Sequence, residues 1–230
     1  MQIKTAFILF IAQLFVILHI ENRVQQIGMK LILLTSADFF IEEDMILTTL
    51  FEEGLDILHL RKPDSEPVYC ERLLTLIPEQ YHPRIVVHDH FYLREEFGLM
   101  GIHLSRRNPQ LPPGYSGPVT RTCYSLDEVE RIGQQCQYIF LRNVFDSISE
   151  PENRATFTEA QLRDAARRGI IGRRVMAEGG VALENIPRLR ELGFGGVVVR
   201  GDLWKRFNIH SGCDFRELID HFRRLRKATS

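Results

Sequence analysis

Two segments late in the chain combine apolar strands with glycine: Val175-Met176-Ala177-Glu178-Gly179-Gly180-Val181 and Gly195-Gly196-Val197-Val198-Val199-Arg200-Gly201. A turn without Cβ atoms lets backbone N–H groups close on an anion, and a helix opening behind it adds unpaired N–H groups and the positive end of a dipole. Either segment alone reads as an ordinary strand-to-helix turn. Coupled on adjacent parallel strands, the turns at Gly179, Gly180, Gly196 and Gly201 would converge on one phosphate group.

Other apolar runs also end in polar side chains. Ile57-Leu58-His59-Leu60 leads to Arg61 and Lys62, and cations emerging from a buried strand must meet an anionic ligand or pair with a neighbouring carboxylate. A phosphate or pyrophosphate suits them. Arg84-Ile85-Val86-Val87 leads to His88, Asp89 and His90. Asp89 is the best metal-ligand candidate, because a magnesium pyrophosphate complex takes only one or two protein carboxylates; a capping or salt-bridging aspartate is the alternative. Neighbours on a strand point oppositely, which argues against joint chelation by this His-Asp-His run. His103 ends Gly101-Ile102-His103-Leu104, ahead of Arg106 and Asn108, and a histidine on an apolar strand reads first as a hydrogen-bonded core residue. Thr122, Tyr124 and Asn143 complete the polar set.

The elements that would position these residues alternate from Met29 onward. Strands are expected over Lys30–Thr35, Asp56–Leu60, Arg84–His88, Gly101–Leu104, Val119–Thr122, Tyr138–Leu141, Arg174–Ala177 and Gly196–Val199. Helical apolar spacing marks Glu42–Glu53, Val68–Leu76, Phe91–Phe97, Leu126–Gln134, Thr158–Arg168, Asn185–Leu192 and Phe215–Lys227, with Pro187 near a helix start. Eight β/α units predict a single-domain α/β fold, the (β/α)8 TIM barrel, whose sites lie at the C-terminal ends of its strands with phosphate commonly bound after the last two. A doubly wound open sheet is the rival, but no G-x-G-x-x-G follows the first strand. The polar loops Ser105–Gly117 and Asp146–Thr156 belong at the rim.

At 230 residues and 44% apolar, the chain can bury one large core. Its 29 basic and 30 acidic residues nearly cancel, so no long-range field favours nucleic acid and anion recognition must be local. The basic run Arg223-Arg224-Leu225-Arg226-Lys227 reads as the solvated end of a C-terminal helix. Cys70, Cys123, Cys136 and Cys213 show neither disulfide nor zinc spacing, which points to a reducing cytoplasm, with Cys123 in an apolar role. Residues 1–28 form an apolar N-terminal extension (Ala6–Ile20) ahead of a domain at 29–230. The extension is short for a bilayer span and lacks a small-residue cleavage site, so an over-extended start with translation from Met29 is the expectation, and a signal or anchor the alternative.

The ordered series His-Leu-Arg-Lys, His-Asp, Gly-Ile-His-Leu, Glu-Gly-Gly-Val and Gly-Gly-Val-Val-Val resembles the thiamin phosphate synthase family, which includes the related thiazole tautomerases, from about Met29 to Trp204. The resemblance implies a barrel that uses Mg2+ to join hydroxymethylpyrimidine pyrophosphate to thiazole phosphate. Departing pyrophosphate leaves a stabilised pyrimidine cation that the thiazole nitrogen captures, so catalysis is chiefly electrostatic. It further implies Arg61 and Lys62 on the pyrophosphate, Asp89 and Asn108 at the metal, Thr122 and Ser147 as hydroxyl donors, and His59, His88 and the four glycines on substrate. The partners implied are small phosphorylated pyrimidine and thiazole substrates, without nucleic acid or stable membrane association; a homo-oligomer stays open.

Several positions depart from the family pattern. Asn108 replaces the second magnesium carboxylate, and Tyr124 replaces the tautomerase histidine. Where the family carries G-P-V-F-x-T-x-T-K, this chain has Arg142-Asn143-Val144-Phe145-Asp146-Ser147-Ile148-Ser149-Glu150, placing Glu150 where a lysine would neutralise pyrophosphate. Arg200-Gly201 replaces an apolar-serine pair. The alternatives are a tautomerase-like isomerase, in which Tyr124 would serve as acid, a catalytically divergent phosphate-ligand-binding barrel, and another phosphosugar enzyme.

Overall fold

The computed structural model describes residues 28–205 and 215–230, in which eight short parallel strands close into a barrel. The strands β1 (Lys30–Leu34), β2 (Ile57–Leu60), β3 (Ile85–Val87), β4 (Gly101–Leu104), β5 (Val119–Cys123), β6 (Tyr138–Leu141), β7 (Val175–Glu178) and β8 (Gly196–Val199) pair in sequence order. Closure comes from β8 lying against β1, with Lys30 opposite Gly196 and Leu33 opposite Val199. Runs such as Gly-Val-Val-Val show no polar alternation because side chains are buried on both faces of the sheet. The expected (β/α)8 architecture is the one observed.

Alternation along each strand sorts side chains between two cores. Leu31, Leu33, Leu58, Ile102 and Val197 face the helices, whereas Ile32, Leu34, Val86, Phe140, Met176 and Val198 fill the barrel. His59, His103, Thr120 and Thr122 also lie buried on the barrel strands.

The helices α1 (Glu43–Glu52), α2 (Pro67–Leu76), α3 (Leu93–Glu96), α4 (Leu126–Ile132), α5 (Glu159–Arg167), α6 (Ile186–Glu191), α7 (Gly201–Trp204) and α8 (Arg216–Thr229) wrap the barrel. Their starts follow local chemistry. Ser125 caps α4 by accepting the Glu128 N–H, Thr158 and Gln161 form a reciprocal capping box on α5, and Pro67 opens α2. The four-residue α7 is the helix opening behind the Gly201 turn; Trp204 anchors it by donating Nε1–H to the Leu34 carbonyl at 2.8 Å. The basic run on α8 is solvated as expected at Arg223, Arg224 and Lys227, and it also makes ion pairs. Arg223 pairs with Glu53 and Arg226 with Asp56, tying α8 back to the start of the barrel. The apolar stretch Ala6–Ile20 and Cys213 lie outside the described residues, among which no helix is long and apolar enough to cross a membrane.

Candidate active site at the C-terminal mouth of the barrel

Gly179 and Gly180 follow β7 with φ of 96° and 63°, a backbone region that side chains with a Cβ rarely adopt. What presses on them is the loop after β6. A Cβ on Gly179 would lie 2.8 Å from the Asn143 backbone, and one on Gly180 would collide with the Asp146 carbonyl. Gly201, at the start of α7, meets the same loop: a Cβ there would lie 2.8 Å from Ile148 Cβ. The glycines therefore let residues 143–149 approach the ends of β7 and β8. This loop closes on itself, with the Thr156 N–H donating to the Asn143 carbonyl and the Ser147 N–H to Asn153, in the manner of an Ω-loop. Asn143 itself adopts φ 62°, a left-handed conformation that asparagine tolerates.

Gly196 is not part of this cradle, which corrects the expectation from sequence. In parallel register it pairs with Met176, three residues before Gly179, and so lies at the opposite end of the barrel. Its missing Cβ makes room for Met176 Sδ and the Lys30 carbonyl, each 2.6 Å from where that atom would stand. Gly201 is the β8-side partner of Gly179 and Gly180.

A set of guanidinium groups faces the glycine turns. Arg142 and Arg200 both grip Glu150, each at 2.9 Å and on different carboxylate oxygens, while Arg142 also lies 3.9 Å from Glu178. Burial alone would raise the Glu150 carboxyl, but the hydrogen bond from Arg200 and the charges of Arg200, Arg142 and Arg61 outweigh it and hold it below its ordinary range. Arg61 is different. Its side chain has no hydrogen bond or ion pair among the described residues, and burial together with the positive charges of Arg200, Arg107 and Arg142 depresses its pKa, opposed by Glu150. The sequence did not single out Glu178. It follows Met176 by two positions and so turns inward at the mouth; burial raises its pKa, and Oε2 has no partner. Counting forward by twos from Met176 would have found it.

The residues implied for Mg2+ do not form a site that fits it. Arg107 Nη2 donates to both oxygens of Asp89, at 2.7 and 2.5 Å, and Asn108 Nδ2 donates to Oδ1 at 2.8 Å. Mg2+ needs oxygen lone pairs in near-octahedral order. Here the one available carboxylate is neutralised by a guanidinium, and its neighbour offers a donor. Arg107 was not singled out in the sequence, where Arg106 was expected at the mouth; Arg106 stacks 3.7 Å over the ring of Tyr124, another residue of the polar set.

Below the mouth, histidines from three strands converge. His59 shares hydrogen bonds with His88 at 2.9 Å and Tyr138 at 2.7 Å, and His103 with Thr120 and Thr122 at 2.8 Å each. Burial, reinforced by neighbouring charges, lowers all three pKa values, that of His103 to about 3. Their nitrogens approach within 4.8 Å of one another, but these soft donors do not suit Mg2+. The rings form a neutral, hydrogen-bonded floor. Thr122 belongs to it through His103, and Ser147 accepts the Glu150 N–H at 3.1 Å, so both hydroxyls position other groups.

Lys62 is not brought to the mouth. Its ammonium is buried against Glu43, at 2.6 and 2.8 Å, donates to the Asp38 carbonyl and lies 4.3 Å from the Phe39 ring centroid. Burial lowers Lys62 and raises Glu43 to about 7, while their mutual attraction opposes both shifts. Cys123 is fully buried, with its thiol pushed up to about 12 chiefly by burial, consistent with an inert apolar role.

The fold is that of the (β/α)8 barrels, and its mouth is chemically suited to an anion. A sequence model described as thiamine monophosphate synthase matches residues 31–203, and the chain belongs to that family. A thiamine phosphate pyrophosphorylase from Bacteroides thetaiotaomicron is 49% identical, with 87% of this chain and 97% of that one covered and a TM-score of 0.79. A thiamine phosphate pyrophosphorylase from Pyrococcus furiosus shares the fold at 17% identity, covering 87% and 95% of the two chains, with a TM-score of 0.67. A comparison with curated protein sequences finds no match.

Proposed function

We propose that the chain is a thiamin phosphate synthase-like transferase that couples hydroxymethylpyrimidine pyrophosphate to thiazole phosphate and releases pyrophosphate. The observation that supports this best is Arg61, an unpaired guanidinium set among Arg107, Arg142 and Arg200 beside the glycine turns. Glu150 and Asp89 only partly offset these like charges, and a bound diphosphate would supply Arg61 with the direct anionic partner it lacks. In the reaction, negative charge builds on the departing diphosphate. The guanidinium groups lower the barrier by being in place before that charge develops. The turns at Gly179, Gly180 and Gly201 would hold the thiazole phosphate, and the neutral histidine floor would shut water out from below.

Glu150 stands in the way of this reading as it stands in the cleft. Its carboxylate occupies the arginines, and the cleft between the loop and the glycines encloses only about 30 Å³. A bound diphosphate would therefore compete with this internal anion for Arg142 and Arg200. Glu150 also favours a second reading, in which the barrel binds a phosphorylated ligand without turning it over.

The test incubates the full chain with both phosphorylated precursors, with and without Mg2+, and follows thiamin phosphate by chromatography. Product that disappears in Arg61→Gln supports the transferase. Binding of either precursor with no product supports the binding barrel.

A further inference from the structure

We propose that Arg107 stands in place of a divalent cation, so that the site recognises diphosphate as the free anion and Asp89 positions Arg107. This deepens the anion-binding reading above and rests on it. A single guanidinium nitrogen, Nη2, satisfies both Asp89 oxygens at 2.7 and 2.5 Å. Nη1 and Nε meet no protein acceptor among the described residues, which leaves donors of a fixed, planar group for a ligand. Arg107 is close enough for its charge to act on Arg61 and His88, so it belongs to the same cationic set.

Asn108 completes the substitution. Its Nδ2 donates to both Asp89 Oδ1 and the His88 carbonyl at 2.8 Å, so the loop that carries Arg107 is pinned to the strand end that carries Asp89. A carboxylate at 108 would repel Asp89 unless a cation lay between them; an amide bonds to it directly. Asp89, Arg107 and Asn108 thus form a closed unit. Arg107 supplies one of the two positive charges a divalent metal would bring, at a place where the chain holds it ready for a diphosphate, and Asp89 is a positioning residue.

Isothermal titration of the full chain with inorganic pyrophosphate, in EDTA and in Mg2+, tests this. Affinity in EDTA is expected to equal or exceed that in Mg2+, because the metal sequesters the free anion. Manganese titrated in the absence of pyrophosphate and followed by electron paramagnetic resonance should keep its free-ion signal. Arg107→Gln should weaken pyrophosphate binding about tenfold, as expected for a lost charge-assisted contact, and Arg107→Lys should recover part of that loss. Pyrophosphate binding that requires Mg2+, stoichiometric manganese binding that Asp89→Ala abolishes, an Arg107→Gln protein of unchanged affinity, or no binding in either buffer would each overturn the proposal. Metal-free pyrophosphate binding without thiamin phosphate formation would leave it standing and remove the transferase. Product formation accompanied by strictly Mg2+-dependent pyrophosphate binding would do the reverse.

Discussion

At Arg61, burial and the charges of Arg200, Arg107 and Arg142 all act against the protonated guanidinium. Removing it should relieve that repulsion while costing the ligand its central contact. Arg61→Gln is therefore expected to keep or slightly raise the urea midpoint and to lower pyrophosphate affinity about tenfold or more. Calorimetry alongside denaturation separates this from a structural role, for which both would fall together. Glu150 works from the other side. The family's lysine is absent at this position, yet Arg142 and Arg200, themselves departures from the family pattern, meet Glu150 at 2.9 Å. Two positive charges and one negative stand in place of a single lysine, so the local net charge is unchanged. Glu150→Gln leaves the two arginines free, and pyrophosphate should bind about threefold to tenfold more tightly, with a steeper salt dependence. An unchanged affinity would mean that the ligand never competes with Glu150.

The loop over residues 143–156 and the two glycine-bearing segments act as elements. Gly180→Ala adds a Cβ at φ 63° directly against the Asp146 carbonyl, which the loop can escape only by leaving β7. A cost of about 1–3 kcal/mol in urea denaturation and weakened pyrophosphate binding are expected together. Gly196→Ala should destabilise by a similar amount, because its Cβ meets the Lys30 carbonyl and Met176, yet leave anion binding intact at the far end of the barrel. If Gly196→Ala weakens binding and Gly180→Ala does not, the cradle is wrongly drawn. The same contrast shows what the sequence could convey. Strand and helix order was legible because apolar runs and turn residues are local signals. Gly196 was misplaced because two glycines separated by one strand look alike in sequence, while parallel register puts them at opposite ends. Lys62 was misread for a similar reason: adjacent residues after a strand diverge, so Arg61 reaches the mouth while Lys62 turns to Glu43, 19 positions away. The side chain that holds Asp89 was beyond reach because Arg106 and Arg107 are chemically identical, and only the loop's path decides which one meets Asp89.

Across the whole molecule, the barrel encloses His59, His88 and His103 as neutral side chains, and this couples global stability to pH. Each has a folded pKa below its ordinary value of 6.5, so its contribution is present above pH 6.5 and is lost as pH falls, down to about pH 3 for His103. Each histidine costs about 1.4 kcal/mol per pH unit over that window. Glu43 has the opposite sign. Raised from 4.5 to about 7, its contribution is full below pH 4.5 and is lost as pH rises through 7, so it offsets one histidine on the way down. Glu178, also raised by burial, acts in the same sense as Glu43, so three histidines stand against two carboxyls and stability should fall as pH drops from 6.5 to 5. His59→Gln combined with His88→Asn places the family's own residue types on the two strands and removes two of the three titrating rings. In that double variant His103 alone stands against Glu43 and Glu178, and the fall in urea midpoint between pH 6.5 and 5 should be abolished or reversed. A parent protein already flat over this range, or a double variant with the parent's slope, would show that the histidines are not held neutral in the fold and that acid sensitivity arises elsewhere.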